Sequence, residues 1–301
     1  MSKKDGYSAK EKGQKRMPFS PKQTEWNPIF ASTFIDALTS DLASLRHASS
    51  QLVFHYRAGD FAKDKPTHCW PPCSPAAPRP RSWATAPVDR VVGCCRDAVV
   101  LFIALARHKG IPARGRVGFV SYFHEGWFID HVVAEVWDNE EKGWRLVETE
   151  LEGESDGIDY LDLTEEQFIT GPRAWRLARA GVVDPARFVV SPSLDLNILR
   201  GWPYLAHNVL HDLVWWDKKE MLLWDYWGMQ GELEEDAREV PESLAKGLDE
   251  ISAITMDPRT DLATLRTLLS RNGLDVPRVV RSVDPNSGTV SKVDVSRMIE
   301  K

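Results

Sequence analysis

The chain has 301 residues, 43% of them hydrophobic and 27% charged, with a formal net charge of -6. Such a chain can bury a sizeable core, and its acidic balance gives no electrostatic basis for binding nucleic acid or acidic substrates. No apolar run is long enough to span a bilayer, and the polar start MSKKDGYSAKEKGQKRMP lacks the apolar core of a secretory signal. A soluble, cytoplasmic protein with no membrane partner is expected.

Residues 1–25 are basic and polar without apolar periodicity, the composition of a disordered tail. Ile29, Phe34, Ile35, Leu38, Leu42, Leu45, Leu52 and Val53 then recur at helical spacing, which predicts one or two helices. Residues 63–88 are too rich in proline to continue a helix and read as a long surface loop. Within it, HCWPPC holds Cys69 and Cys73 beside His68. That is half of a zinc knuckle, and tetrahedral zinc needs a further ligand set. The run is read as incidental, with no metal and no cofactor expected. The four cysteines, Cys69, Cys73, Cys94 and Cys95, are too few and too bunched for a disulfide scaffold and fit a reducing compartment.

The stretch GCCRDAVVLFIALARHKGIPARGRVGF, from Gly93, is the chemical centre of the chain. From Cys95 to Lys109 apolar residues fall on nearly every side, so a fully buried helix is predicted, stopped by Gly110 and Pro112. Strands follow over 114–120, 128–137 and 143–147, the last two joined by a polar turn at 139–142. A helix packed on an antiparallel sheet makes this an α+β layer. Further on, Thr164 and Gln167 form a capping-box pair predicting a helix over 164–179, and a second helix is expected over 196–218. The domain is drawn over 26–231, with 232–301 as an appended helical extension.

A cysteine at a helix N-terminus gains from the unpaired N–H groups and the macrodipole, which favour thiolate and place a backbone amide near a developing oxyanion. Cys95 stands at such a position. A hairpin centred near residue 140 sets His131 across from Glu148 within a residue, with the same facing, so the carboxylate can orient the imidazole. Folding is then expected to bring the Cys95 sulfur within bonding reach of His131, giving nucleophile, base and orienting group. Each residue alone is more often structural; the three in this order point to thiol chemistry.

These residues resemble the core of the transglutaminase-like superfamily. Gly93, Cys95, Arg96 and Asp97, then Gly110, Ile111, Pro112, Ala113 and Arg114, match its helix motif, and the family histidine falls on His131. The third member, usually aspartate four residues after a tryptophan, falls on Glu148 after Trp144, one methylene longer. The resemblance implies a papain- or transglutaminase-like core with extra helices, and acyl transfer from a peptide or carboxamide substrate through a thioester on Cys95. Trp127, Asp130, Trp224 and Trp227 are the candidate substrate-binding residues. Asn208, Asp212, Asp225 and Gly228, in a more weakly similar region, are read first as packing. Two alternatives stay open: a non-catalytic binding module on the same fold, and a peptide-N-glycanase-like amidase, suggested by Asp130 preceding His131.

Overall fold

The computed structural model describes residues 35–55, 68–69, 90–153, 157–194, 197–228, 240–271, 273–283 and 289–296. The expected N-terminal tail and nearly all of the proline-rich loop, Cys73 included, lie outside the described residues. The central helix, which is α2 in chain order (Cys95–His108), forms where the sequence predicts it. Asp97, in its first turn, accepts the Cys94 N–H at 3.0 Å, returning the side chain to the cap as a capping box does. Its far end closes as a Schellman motif: the Ile111 N–H reaches the Ala106 carbonyl and the Gly110 N–H that of Arg107, with Gly110 at φ 77.

Before it, α1 (Leu42–Leu52), N-capped by Asp41, leads into β1 (Val53–His55). Strands β1, β2 (His68–Cys69) and β3 (Val91–Gly93) form a small parallel sheet in the order β1-β3-β2, with His55 opposite Gly93. This register carries His55 to the doorstep of α2. A Cβ on Gly93 would meet Asp97 Oδ2 and Val53 Cγ1, both at 2.9 Å, so the strand pairing and the helix cap coexist only over a residue without a side chain.

The main sheet contains β4 (Ala113–Val120), β5 (Phe128–Asp138), β6 (Gly143–Val147) and β7 (Phe168–Thr170), ordered β6-β5-β4-β7. Its strands are antiparallel, and β8 (Phe188–Val189) adds in parallel beside the start of β5. Thus the fold is mixed α and β, with the helix laid on an antiparallel sheet as expected. The core on the α2 side joins Ala98, Val99, Phe102 and Ile103 to Val117, Val132 and Ala134, and a smaller cluster of Val120, Val133, Leu163 and Phe168 covers the other face.

The helix predicted over 164–179 is corrected. Thr164 and Gln167 do exchange both cap bonds, but they close a single turn, after which Phe168–Thr170 extends as the edge strand β7. The helix, α3 (Gly171–Arg179), starts only there, capped by Thr170. The edge of β4 offered Phe168 and Ile169 a sheet partner, and tertiary pairing overrode the local helix signal. Next, α4 (Gly201–Trp216) packs on β4, where the Trp215 ring fills the space a Cβ on Gly115 would need.

Beyond residue 240 the expectation of helices is met by α5 (Glu242–Met256) and α6 (Leu262–Leu269). The end of the chain departs from it: β10 (Val279–Val283) and β11 (Val290–Asp294) form an antiparallel hairpin that pairs with β9 (Asp225–Tyr226). Val279 to Val283 alternates exposed and buried, a period of two that no helix carries. Leu244, Leu248 and Ile251 of α5 enter the same core as α2.

A charged network ties α4 to the sheet. Arg116 grips Asp212 with two bonds, Nε to Oδ1 at 2.9 Å and Nη2 to Oδ2 at 2.8 Å, while Asp212 Oδ1 also accepts the Val117 N–H at 2.9 Å. Glu135 takes the remaining charge from Arg116 and Arg114, and the Arg114 guanidinium stacks 3.7 Å from the Trp216 ring. Removing one partner leaves a buried charge uncompensated. Asp212→Ala is therefore expected to destabilise the fold by about 3–5 kcal/mol in urea unfolding.

On the opposite side of α4, His207 Nε2 donates to the Leu223 carbonyl at 2.7 Å and His211 Nε2 to that of Asp225 at 2.8 Å, with the rings 4.2 Å apart. Burial holds His207 down at about 4 and His211 well below its ordinary value. Between those values and about 6.5 the unfolded chain binds the protons that the fold refuses. Stability should therefore be full above pH ~6.5 and fall by roughly 1.4 kcal/mol per pH unit for each histidine as pH drops toward 4. Urea midpoints measured across this window, with His207→Asn flattening the slope, check it.

Candidate active site

Glu148 lies one residue past the end of β6, and the register differs by one from the hairpin expectation: Ala134 faces Val147, so Glu148 meets His131 on the diagonal. The contact forms. His131 Nε2 donates to Glu148 Oε2 at 2.9 Å, with the two residues 2% and 0% exposed. The Tyr122 hydroxyl donates to the same oxygen at 2.5 Å, and the Glu150 N–H to Oε1 at 2.9 Å. The backbone at Glu148 is fixed too: its N–H donates to the Tyr160 carbonyl, and Arg46 Nε of α1 donates to its own carbonyl at 2.8 Å.

Burial alone would push the Glu148 carboxyl up; the charge and bond of His131, with the Tyr122 and Glu150 donors, outweigh it and hold it at about 2. For His131 burial acts downward, and the Glu148 carboxylate reverses it, so the imidazole is raised above its ordinary value. Phe123 covers the imidazole edge-on at 5.0 Å while itself 40% exposed.

Cys95 is the first residue of α2 and is 7% exposed. The hydrogen bond that its S–H gives to the Cys94 sulfur, then burial, then the nearby Glu150 and Asp130 carboxylates push its thiol well above the ordinary range. The thiolate expected from helix position alone is thus corrected, because four neighbouring effects oppose the dipole. The expected thiol–imidazole bond is corrected as well. Cys95 bonds Cys94 and His131 bonds Glu148, and among the described residues the two share no hydrogen bond. Alternation along β5 explains it: Val132 faces the core that contains Cys95, whereas Val133, and His131 with it, belongs to the face of the smaller cluster.

Glu150 links the two sides. Burial and the Glu148 and Asp97 carboxylates lift it to about 7 against the pull of His131, and it stands with His55 beside the sulfur. Ligand atoms of His55, Cys95 and Glu150 lie within 4.8 Å of one another. Tyr204 of α4, raised by burial and by its hydrogen bond to Asp130, completes the surround. Sequence reading missed Tyr122, Glu150, His55 and Tyr204. Glu150 was detectable, having the parity of Glu148 along the chain; His55 was not, because only the β1–β3 register brings it to Cys95.

Of the candidate substrate-binding residues, Asp130 stands at the site through Tyr204 and Cys95. Trp127 is half-buried at the start of β5 with the Arg200 guanidinium 6.0 Å from its ring, and Trp224 is half-buried against the core. Trp227, 4% exposed, donates to the Leu274 carbonyl and packs on His211, so its ring is core and not cleft. Asn208, Asp212 and Asp225 are buried, in keeping with packing. A cavity lined by Arg114, Arg116, Glu135, Trp144 and Trp216 includes none of Cys95, His131 and Glu148, and its charges are already neutralised within the network above.

Two measurements test these electrostatics. Nuclear magnetic resonance titration should place His131 above the ordinary histidine value of ~6.5 and return it toward that value or below in Glu148→Gln. Iodoacetamide should label Cys95 slowly at pH 6, with the rate rising only above ~8.5; fast labelling at pH 6 would contradict the raised thiol.

No helix of the described residues is long and apolar enough to cross a membrane. Compared with known proteins, the chain matches no curated protein and no solved structure. Its residues 71–149, which carry Cys95, His131 and Glu148, match the family model of the transglutaminase-like superfamily.

Proposed function

We propose that the protein is a cysteine acyl-transfer enzyme, an amidase, peptidase or transamidase, acting through a thioester on a peptide or carboxamide substrate. The observation that carries this is the buried His131–Glu148 pair at 2.9 Å in a segment matching the transglutaminase-like family, with Cys95 at the start of α2. In this reading the Cys95 sulfur bonds to the acyl carbon and its proton passes to His131, whose Nδ1 is left for it by the bond of Nε2 to Glu148. The imidazolium, stabilised by Glu148, returns the proton to the departing amine. Water or a second amine then releases the acyl group. The N–H groups of Cys95 and Arg96, ahead of the first helical bonds at Asp97 and Ala98, are the donors that would receive the oxyanion. For this transfer substrate binding must bring together two side chains that lie toward different faces of β5 at rest. The free thiols Cys94 and Cys95 support a cytoplasmic setting.

A second reading, the non-catalytic binding module, is favoured by one observation: the raised thiol bonded to Cys94 instead of to an imidazole. One experiment separates the two. Intact-mass trapping with an activated ester and a glutaminyl peptide should give a thioester adduct on the wild type and none on Cys95→Ala, with His131→Ala slowing formation by about 10²–10⁴-fold. Peptide binding without adduct, or turnover surviving in Cys95→Ala, would overturn the acyl-transfer reading.

A further inference from the structure

The groups nearest the sulfur are not those that orient His131. His55 closes β1, and its register opposite Gly93 puts its ring beside the first turn of α2. Glu150 reaches the same spot from the segment after β6, held by its N–H on Glu148 Oε1. His55 Nδ1 stands 3.9 Å from Glu150 Oε1, too far for a hydrogen bond, and the two side chains are 20% and 15% exposed. A thiol, an imidazole and a carboxylate, each from a different segment, thus converge on one partly open point.

We propose that Cys95, His55 and Glu150 form a binding site for a zinc ion that caps the Cys95 sulfur. Sulfur with imidazole and carboxylate is a donor set that suits zinc and not magnesium or calcium, which take oxygen ligands. Ligand atoms around tetrahedral zinc stand roughly 3.3–3.8 Å apart, so the 4.8 Å spread here closes by about 1 Å, within the reach of two partly exposed side chains. Three protein ligands leave the fourth position to water. On binding, the Cys95 thiol and any protonated Glu150 give their protons to solvent, bonds form from sulfur, ring nitrogen and carboxylate oxygen to the ion, and all but one of its hydration waters leave. The cation also relieves a local excess of negative charge, since Glu150 and Asp130 both act on the sulfur and His131 is already paired with Glu148. With its sulfur held by the ion, Cys95 cannot attack a carbonyl. That consequence rests on the acyl-transfer reading; the site itself does not.

The test uses the full chain without an affinity tag. Zinc is titrated against a chromophoric chelator, and cobalt is substituted to read the thiolate-to-metal charge-transfer band. One ion per chain is expected, and zinc should block iodoacetamide labelling of Cys95 until a chelator is added. Cys95→Ser, His55→Ala and Glu150→Gln should each weaken binding by at least about 10–100-fold. His131→Ala, and Cys69→Ser with Cys73→Ser, should keep the ion. No stoichiometric zinc on the wild type overturns the proposal, as does zinc that survives Cys95→Ser or is lost with Cys69 and Cys73. Because His131→Ala removes the proposed base and keeps the metal, a failure of acyl transfer and a failure of zinc binding are told apart.

Discussion

A carboxylate with no access to water is the constraint around which this structure is arranged. Glu148 can stay ionised there only because each oxygen has donors, from His131, Tyr122 and the Glu150 amide. Meeting that requirement fixes the end of β6 against β5 and the loop after β4 through Tyr122. Arg46 adds α1 by gripping the Glu148 backbone carbonyl, so one buried residue gathers four chain segments. The same bonds hold the His131 ring by Nε2 and leave Nδ1 turned away from Glu148, so structural and chemical roles are met by one set of contacts.

The second charged network, Arg116 with Asp212 and Glu135, holds α4 on the sheet and so keeps Tyr204 near Asp130 and Cys95. Trp144 and Trp216 sandwich the Arg114 guanidinium at 4.3 and 3.7 Å, burying the hydrocarbon and ring surface around these charges. Much of the tryptophan content of the chain is spent in this way. Trp175, Trp215 and Trp227 are likewise core rings, two of them with their indole N–H tied to a backbone carbonyl.

Much of the fold could be read along the chain wherever the signal was local. Cys95–His108 follows from an apolar run ended by Gly110 and Pro112, and β5 and β6 from alternation about a polar turn. Prediction failed where a partner distant in sequence decided the outcome. Phe168–Thr170 became a strand because β4 had an open edge, and Val279–Val283 because β9 did. Within the site, the His131–Glu148 contact was legible from a hairpin centre. The protonation of Cys95 was not, since it depends on Cys94, Glu150 and Asp130 crowding one sulfur, and only Cys94 is its neighbour in the chain.

The parallel pairing of β1 with β3 has a kinetic consequence. The hairpin of β5 and β6 and the helix α2 close over short loops and can assemble early, whereas His55 must find Gly93 across a long excursion of chain. The cap of α2 shares its space with that pairing through Gly93. The last stage of folding therefore completes the surroundings of the nucleophile, and a nascent chain carries its sulfur unfinished until the domain has closed.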